Sequence, residues 1–191
     1  MAEKILMIDN YDSFTYNLVH IVKKFGFEID VFRNDKISLE EVGQYKKIML
    51  SPGPGIPSEA GIIQDVVKKF ANTHDIFGVC LGHQCIGEVF GGTLTNIEKV
   101  YHGIATPIEV VKDDLLFEGL PKQFKVGRYH SWVVDSIGFP REVLEITALD
   151  ELGKVMALRH KTLKVRGVQF HPESILTEHG EKIMENWLRS T

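Results

Sequence analysis

The residue best suited to covalent chemistry is Cys80, which ends an apolar run and has glycines two residues before and two residues after it. Such a run predicts a buried strand, then a tight turn, then a helix. Gly78 and Gly82 would permit the close backbone approaches of that turn. The first amides of the helix and its dipole would favour a thiolate over a thiol. Cys80 is therefore a candidate nucleophile, and a small buried hydrophobic residue is the alternative.

A candidate base and a candidate carboxylate partner lie in the sequence His171-Pro172-Glu173. Proline disfavours helix in the residue before it, so we expect His171 in an extended segment. Residues two apart in such a segment point to the same side, which lets Glu173 orient the imidazole. With a nucleophile they would complete a Cys–His–acid arrangement. The chain has eight histidines, and spacing alone leaves His83 and His130 as rival bases.

A rigid turn with accessible backbone amides is predicted at residues 51–57, Ser-Pro-Gly-Pro-Gly-Ile-Pro. Its three prolines stiffen the loop, and Gly53 and Gly55 leave amides that a ligand can approach. Amides held in this way can donate hydrogen bonds to an oxyanion. No Gly-Lys-Ser/Thr follows the loop, which argues against a phosphate-binding loop. A crossover turn without a ligand is the alternative interpretation.

The elements that must position these residues alternate between strand and helix in the first half of the chain. The predicted strands are residues 4–8, 28–33, 47–50 and 76–79, and the predicted helices are residues 14–25, 39–42 and 60–70. This alternation predicts an α/β fold with a doubly wound, mostly parallel sheet and helices on both faces. Ligands of such sheets collect at the carboxyl ends of the strands. Three loops follow predicted strands, so we expect them at that edge: residues 9–13 after the first strand, residues 51–57 after the third, and the Cys80 elbow.

The second half of the chain is richer in β patterns and closes with an amphipathic helix at residues 178–189. Its predicted strands are residues 106–111, 123–128, 143–148, 154–159 and 165–170. We find no repeat, no low-complexity segment and no linker in the sequence. One domain over residues 1–191 is the expected organisation.

Composition narrows the possible functions of these 191 residues. A hydrophobic fraction of 43% and a charged fraction of 25% are typical of a globular protein in water. A net charge of -4 argues against a nucleic-acid partner. No apolar run suggests a membrane span, and the first strand begins too early for a signal peptide. Two cysteines, five residues apart, fit neither a disulfide framework nor a zinc site and indicate a reducing, cytoplasmic location.

Taken together and in this order, three motifs resemble the class I (triad-type) glutamine amidotransferases. They are the loop at 51–57, Cys-Leu-Gly-His-Gln at 80–84 and His-Pro-Glu-Ser at 171–174. Within that family, residues 9–18 and 128–131 are similar to the glutaminase subunits of anthranilate synthase and, equally, of aminodeoxychorismate synthase. The resemblance covers essentially the whole chain and implies a flavodoxin-like fold. Trp132 departs from the leucine that is more frequent after His-Ser in this family.

The resemblance implies the reaction. Cys80 would attack the carboxamide carbon of L-glutamine, and His171 would protonate the leaving ammonia and then activate water. Glu173 would hold the tautomer of the histidine. The ammonia would pass to a larger, chorismate-binding synthase subunit. The resemblance implies neither a metal nor an organic cofactor for this hydrolysis.

The resemblance also implies how glutamine is bound. The amide of Leu81 and an amide of Gly53-Pro54-Gly55 would hold the tetrahedral oxyanion. Gln84 and the backbone of Ser131 and Trp132 would recognise the amino and carboxylate end of the substrate.

Three other functions remain open. A glutaminase could serve another synthetase, such as one making GMP or carbamoyl phosphate, although residues 9–18 argue against this. A non-catalytic binding subunit could keep the fold, but its Cys80, His171 and Glu173 need not then be intact. A peptidase or other hydrolase on the same sheet would not require Gln84 and Ser131.

Overall fold

The structure, a computed structural model, describes residues 4–191, so residues 1–3 of the expected domain lie outside the described residues. The strands are β1 Ile5–Asp9, β2 Ile29–Arg33, β3 Lys47–Leu50, β4 Asp75–Val79, β5 Leu94–Asn96, β6 Ile104–Val110, β7 Gln123–Arg128, β8 Trp132–Val134, β9 Leu144–Asp150, β10 Val155–His160 and β11 Val165–Val168. The helices are α1 Thr15–Lys24, α2 Leu39–Val42, α3 Ile63–Phe70, α4 Leu81–Val89 and α5 Gly180–Leu188. None of the helices in this described range is long and apolar enough to cross a membrane.

Nine strands form one sheet in the order β2-β1-β3-β4-β11-β10-β9-β6-β7. From β2 to β11 all neighbours are parallel. From β11 to β7 all neighbours are antiparallel. The predicted α/β fold is confirmed. The sheet is mixed, because the β-rich second half extends the parallel sheet instead of forming a separate layer.

Helices cover both faces of the parallel half. In β1, Ile5 and Met7 pack into a core shared with α1 and α5, while Leu6 and Ile8 pack into a second core shared with α3 and α4. Every residue of β1 is buried as a result. A strand covered on both faces reads as a continuous apolar run, which explains why the sequence identified these strands.

Two differences from the predicted elements affect the site. Helix α3 begins at Ile63 instead of residue 60, because the 3₁₀ turn Pro57–Glu59 ends the proline-rich loop first. The short strands β5 and β8 pair with each other and were not predicted. Three residues are too few to show a two-residue period. Trp132 therefore lies in a strand, opposite Asn96 of β5.

Buried polar side chains fix the loops at the carboxyl edge of the sheet. The backbone N–H of Asn10, after β1, donates to Ser51 Oγ at 2.8 Å. The Asn10 side chain donates to the Ser51 carbonyl at 2.7 Å and accepts from Asn34 Nδ2 at 3.0 Å. All three residues are buried. These bonds hold the 51–57 loop against the first strand.

Candidate active site

Cys80 occupies a tight elbow between β4 and α4, with φ +53° and ψ -100°. This backbone region is costly for a residue with a side chain and is typical of functional sites. A Cβ on Gly78 would lie 2.4 Å from the carbonyl carbon of Gly82. A Cβ on Gly82 would lie 2.5 Å from the Leu50 carbonyl oxygen of β3. The glycines around the cysteine therefore have the steric purpose predicted for them.

His171 and Glu173 form a buried pair on the segment that follows β11. The His171 Nδ1 atom lies 2.5 Å from Glu173 Oε1, so the ring donates to the carboxylate. Their side chains are 3% and 0% exposed. The edges of Phe14 and Tyr129 pack on the imidazole, with ring centroids 5.6 and 4.8 Å away. The carboxylate and the aromatic rings together fix the orientation of the imidazole.

The sulfur of Cys80 and the carboxylate of Glu173 determine the charge of His171. Burial lowers the pKa of His171, but interactions with Cys80 and Glu173 outweigh it and raise that pKa to about 10. Contact of the ring with the Cys80 sulfur contributes most to this rise, followed by the hydrogen bond with Glu173 and the charges of both groups. A thiolate beside an imidazolium can attack a carbonyl carbon, and the imidazolium can then protonate the leaving group.

The two rival histidines have other environments. His83 is fully buried against Gly167 of β11, and burial lowers its pKa to about 4. His130 makes hydrogen bonds at both ring nitrogens, to the Trp132 carbonyl at 2.9 Å and to Arg128 Nε at 3.1 Å. Burial and the charge of Arg128 lower its pKa to about 3. His171 is the histidine whose carboxylate partner and charge suit a proton donor beside Cys80.

A cavity of about 230 Å³ opens at Cys80. It is smaller than cavities for drug-sized ligands and suits one small metabolite. Its lining residues are Gly53, Pro54, Gly55, Cys80, Gln84, Tyr129, His130, Ser131 and Trp132. The structure thus brings together six of the seven residues predicted to bind substrate. Several larger cavities, including two of about 590 and 710 Å³, do not include Cys80, so size alone would not find this site.

Leu81 is the predicted binding residue outside the cavity lining, but it lies directly beside it. As the first residue of α4, it has a backbone N–H with no partner four residues earlier in the helix. A Cβ on Gly53 would lie only 3.0 Å from Leu81 Cδ2. The 53–55 loop therefore packs against the first residue of α4, directly after Cys80.

Comparison with known proteins identifies the family. The model of the family "Glutamine amidotransferase class-I" matches residues 6–191. The chain belongs to this family. Anthranilate synthase component 2 of Pseudomonas aeruginosa is 48% identical over 192 residues, covering 97% of this chain and 94% of the relative. Aminodeoxychorismate/anthranilate synthase component 2 of Bacillus subtilis is 45% identical over 188 residues, covering 97% and 96%.

A crystal structure from Thermoplasma acidophilum, assigned to one subunit of a GMP synthase, is also similar to this amidotransferase. The two share 25% identity with a TM-score of 0.88, over 98% of this chain and 93% of the other. The family and the fold predicted from the sequence are both confirmed.

Sequence reasoning missed Gln169, a fully buried residue of this amidotransferase. Its side-chain amide nitrogen lies 3.5 Å from Cys80 Sγ. A signal for it existed: Gln169 precedes His171 by two residues, the spacing that places His171 and Glu173 on one side. In addition, Val168 of β11 pairs with Val79 of β4, so the residues that follow them lie side by side.

Within residues 4–191, this amidotransferase has no group of three His, Cys, Asp or Glu side chains arranged to hold a metal. The second cysteine, Cys85, is a free thiol inside the core, and burial raises its pKa. It lies on the α4 face that packs against the sheet, away from the cavity lining. Cys85 therefore has the environment of a small buried hydrophobic residue, which was the alternative interpretation considered for Cys80.

Proposed function

We propose that this chain is the glutaminase subunit of a chorismate-using synthase, hydrolysing L-glutamine and passing the ammonia to a chorismate-binding partner. The product of the partner would be anthranilate, 4-amino-4-deoxychorismate or both. The observation that carries the proposal is Cys80 at a strained elbow, with the buried His171–Glu173 pair beside it and a small cavity at its sulfur. The names of the Pseudomonas aeruginosa and Bacillus subtilis relatives favour chorismate chemistry over a GMP-synthase partner, whose representative is less similar.

The proposed reaction has two halves. The Cys80 thiolate attacks the carboxamide carbon, and the His171 imidazolium protonates the nitrogen as the C–N bond breaks, releasing ammonia. The γ-glutamyl thioester that remains is attacked by a water molecule whose proton goes to His171. The C–S bond then breaks and glutamate leaves. The net change is glutamine plus water to glutamate plus ammonia, and Glu173 stabilises the imidazolium in both halves.

The oxyanion of each tetrahedral intermediate requires two donors near the sulfur. The first-turn N–H of Leu81 is one, and an amide of residues 53–55 is the other. The close approach of Gly53 to Leu81 supports this pairing. Removing one such donor typically costs roughly 10²–10³ in kcat.

Hydrogen bonds within the protein determine which groups around the cavity would bind the substrate. The Ser131 carbonyl accepts from Ile97 N–H at 2.8 Å, and the Trp132 carbonyl accepts from Gln84 Nε2 at 2.9 Å. The N–H and hydroxyl of Ser131 remain as donors for the α-carboxylate of glutamine. The Gln84 side-chain oxygen remains as an acceptor for the α-ammonium.

We also propose that the synthase docks at the carboxyl edge of the parallel strands, since ammonia must leave there. Ile175, close after the His171–Glu173 pair, is 99% exposed, and Tyr11, after β1, is 47% exposed. Exposed apolar side chains around a catalytic opening suit a protein partner. We further propose one domain, a cytoplasmic location suited to a free nucleophilic thiol, and no nucleic-acid partner, given the net charge of -4.

The test of the proposed function is glutaminase kcat/KM for the chain alone, with a chorismate-binding synthase, and with that synthase plus chorismate. We expect slow hydrolysis alone and at least tenfold activation by docking, because a loop amide misplaced by ~1 Å can cost about 100-fold. Glutamine labelled with ¹⁵N in its side-chain amide should deliver the label to the aminated chorismate product. Absence of hydrolysis in all three conditions, or label that never reaches the aminated chorismate product, would contradict the proposal. Equal rates in all three conditions would contradict only the expected activation by docking and would leave the proposed function standing.

The 53–55 loop gives a second prediction, for Gly53→Ala. The added Cβ would lie 2.6 Å from both the Cβ and the carbonyl oxygen of Asn10, so the loop must shift. We expect kcat to fall about 100-fold, through displacement of the oxyanion amide. The control is Gly43→Ala, which adds the same methyl group 3.3 Å from the Phe70 ring, far from the cavity. An unchanged kcat in Gly53→Ala would remove this loop from the oxyanion site.

A further inference from the structure

A buried ion pair begins a line of hydrogen bonds that ends at the nucleophile. Arg128 is 1% exposed, and its Nη1 atom lies 2.8 Å from Asp150 Oδ2. Its guanidinium stacks 3.6 Å from the centre of the Tyr101 ring. Its Nε atom lies 3.1 Å from His130 Nε2. Arginine only donates, so His130 Nε2 accepts, and the proton of His130 is on Nδ1, which donates to the Trp132 carbonyl.

The same carbonyl fixes the orientation of the next side chain. A carbonyl oxygen only accepts, so the atom of Gln84 that lies 2.9 Å from Trp132 O is the amide nitrogen. That nitrogen also lies 3.2 Å from the side-chain oxygen of Gln169. The nitrogen of Gln169 then faces Cys80 Sγ at 3.5 Å. Each amide in the line has one orientation that leaves every hydrogen bond satisfied.

Burial makes these orientations costly to change. Gln169 is 0% exposed, Gln84 3% and His130 6%. A buried amide turned the wrong way would set two donors or two acceptors against each other without water to compensate. Arg128 therefore fixes the tautomer of His130, and the Trp132 carbonyl, which only accepts, fixes the orientations of Gln84 and Gln169.

We propose that Gln169 is a positioning residue for the glutaminase reaction, with a separate role for each end of its amide. Its N–H group donates to the sulfur and stabilises the Cys80 thiolate. Its oxygen accepts one N–H of Gln84 while the Trp132 carbonyl accepts the other, so that the Gln84 oxygen faces the α-ammonium of glutamine. The inference rests on the proposed function and names the residue that prepares the nucleophile and the substrate pocket together.

Other titratable groups around the sulfur bear on the pH behaviour expected here. His171, held by Glu173, faces Cys80 from the segment after β11, and Tyr129 and His130 line the cavity. Asp12, on the loop after β1, interacts with His171 and Glu173. None of them replaces the neutral donor that Gln169 presents to the sulfur.

The test compares two substitutions that separate the two ends of the amide. Gln169→Met has a similar length and removes both hydrogen bonds, whereas Gln169→Glu keeps an acceptor for Gln84 and removes the donor to sulfur. The control is Gln64→Met, which removes a side-chain bond between α3 and Glu88, away from the cavity. In the complex with the synthase, we expect kcat to fall about tenfold in both Gln169 variants. The KM for glutamine should rise about fivefold in Gln169→Met and stay within about twofold in Gln169→Glu.

A second measurement follows the reactivity of the Cys80 thiol with pH and does not depend on enzyme turnover. Iodoacetamide alkylation of Cys80 is followed from pH 5 to pH 10 in the chain without glutamine, with Cys80→Ser as the background. Cys85 is fully buried and should not react. We expect the alkylation midpoint to rise by about one pH unit in both Gln169 variants, because a donor to a charged sulfur is lost. Circular dichroism and the unfolding midpoint establish that each variant is folded.

A shift below about 0.3 pH units in folded variants, or equal changes of KM in both, would overturn the role of Gln169. Glutamine hydrolysis by the unaltered complex is measured first. Its absence would overturn the proposed function, whereas normal hydrolysis with an unshifted alkylation profile would overturn only the inference about Gln169.

Discussion

Replacement of Cys80 by serine is expected to reduce glutamine hydrolysis by at least 10³-fold and to leave ammonia-dependent amination by the synthase complex intact. A serine hydroxyl does not ionise beside an imidazolium at neutral pH, so the nucleophile is lost although its position is kept. The elbow should persist, because its geometry depends on Gly78, Gly82 and the Cys80 N–H, which donates to the Val168 carbonyl at 2.9 Å.

The measurement is kcat/KM with glutamine and, separately, with ammonium salt, for the same purified complex. Cys85→Ala is the matched control. It removes the second thiol of the chain, which lies on α4 in the core and does not line the cavity. We expect that variant to lose stability by about 1 kcal/mol or more and to keep its activity. Substantial glutamine-dependent turnover in Cys80→Ser would show that Cys80 is not the nucleophile. Loss of the ammonia-dependent activity would show that the substitution disrupts the complex instead.

The sequence predicted those features of the site whose residues are close together in the chain. The elbow at Cys80 was predictable because a continuous apolar strand, two glycines and a helix are adjacent in the chain. The central parallel strands were predictable for the same reason, since every residue of β1, β3 and β4 is buried. Pro172 keeps His171 out of a helix, as predicted. Residues 171–174 form a turn and not the expected extended segment, with the Ser174 N–H donating to the His171 carbonyl at 3.2 Å, so the pairing with Glu173 is found but its predicted geometry was wrong.

The selection of His171 over its rivals depends on contacts between distant parts of the chain. Strand β11 returns to the centre of the sheet and pairs with β4, in register from Val165 opposite Ile76 to Val168 opposite Val79. Only this pairing brings the segment after β11 beside Cys80. Neither the strand order nor the register can be read from local periodicity, and the same limit hid Gln169.

The small strands β5 and β8 were missed for an energetic reason. Their pairing is stabilised by packing of β8 on α4 and not by local propensity; for example, a Cβ on Gly87 would lie 2.6 Å from Val134 Cγ2. This packing places the Trp132 carbonyl where Gln84 and His130 both donate to it. Tryptophan at position 132, where leucine is more frequent in the family, is compatible with the site, because these contacts use the backbone of residue 132.

The second large effect is expected for His171→Ala, with roughly 10³-fold or greater loss of kcat and a smaller loss, by at least about tenfold, in Glu173→Ala. In the proposed reaction the histidine transfers the proton, whereas the carboxylate orients the histidine and favours its charged form. Glu173→Gln is the matched variant, because an amide oxygen can still accept from Nδ1 at the position where Oε1 now lies 2.5 Å away. It should lose less activity than Glu173→Ala.

The pH profile distinguishes this role of Glu173 from a structural one. Glu173 is one of the groups that raise the pKa of His171 to about 10, so its removal must lower that pKa. The imidazolium needed to protonate the leaving ammonia is then lost at lower pH. The alkaline limb of kcat should therefore move to lower pH in Glu173→Ala, and Glu173→Gln should shift in the same direction, because it also removes the charge. An unmoved alkaline limb in Glu173→Ala, or equal losses of kcat in His171→Ala and Glu173→Ala, would contradict the assignment of base and orienting carboxylate.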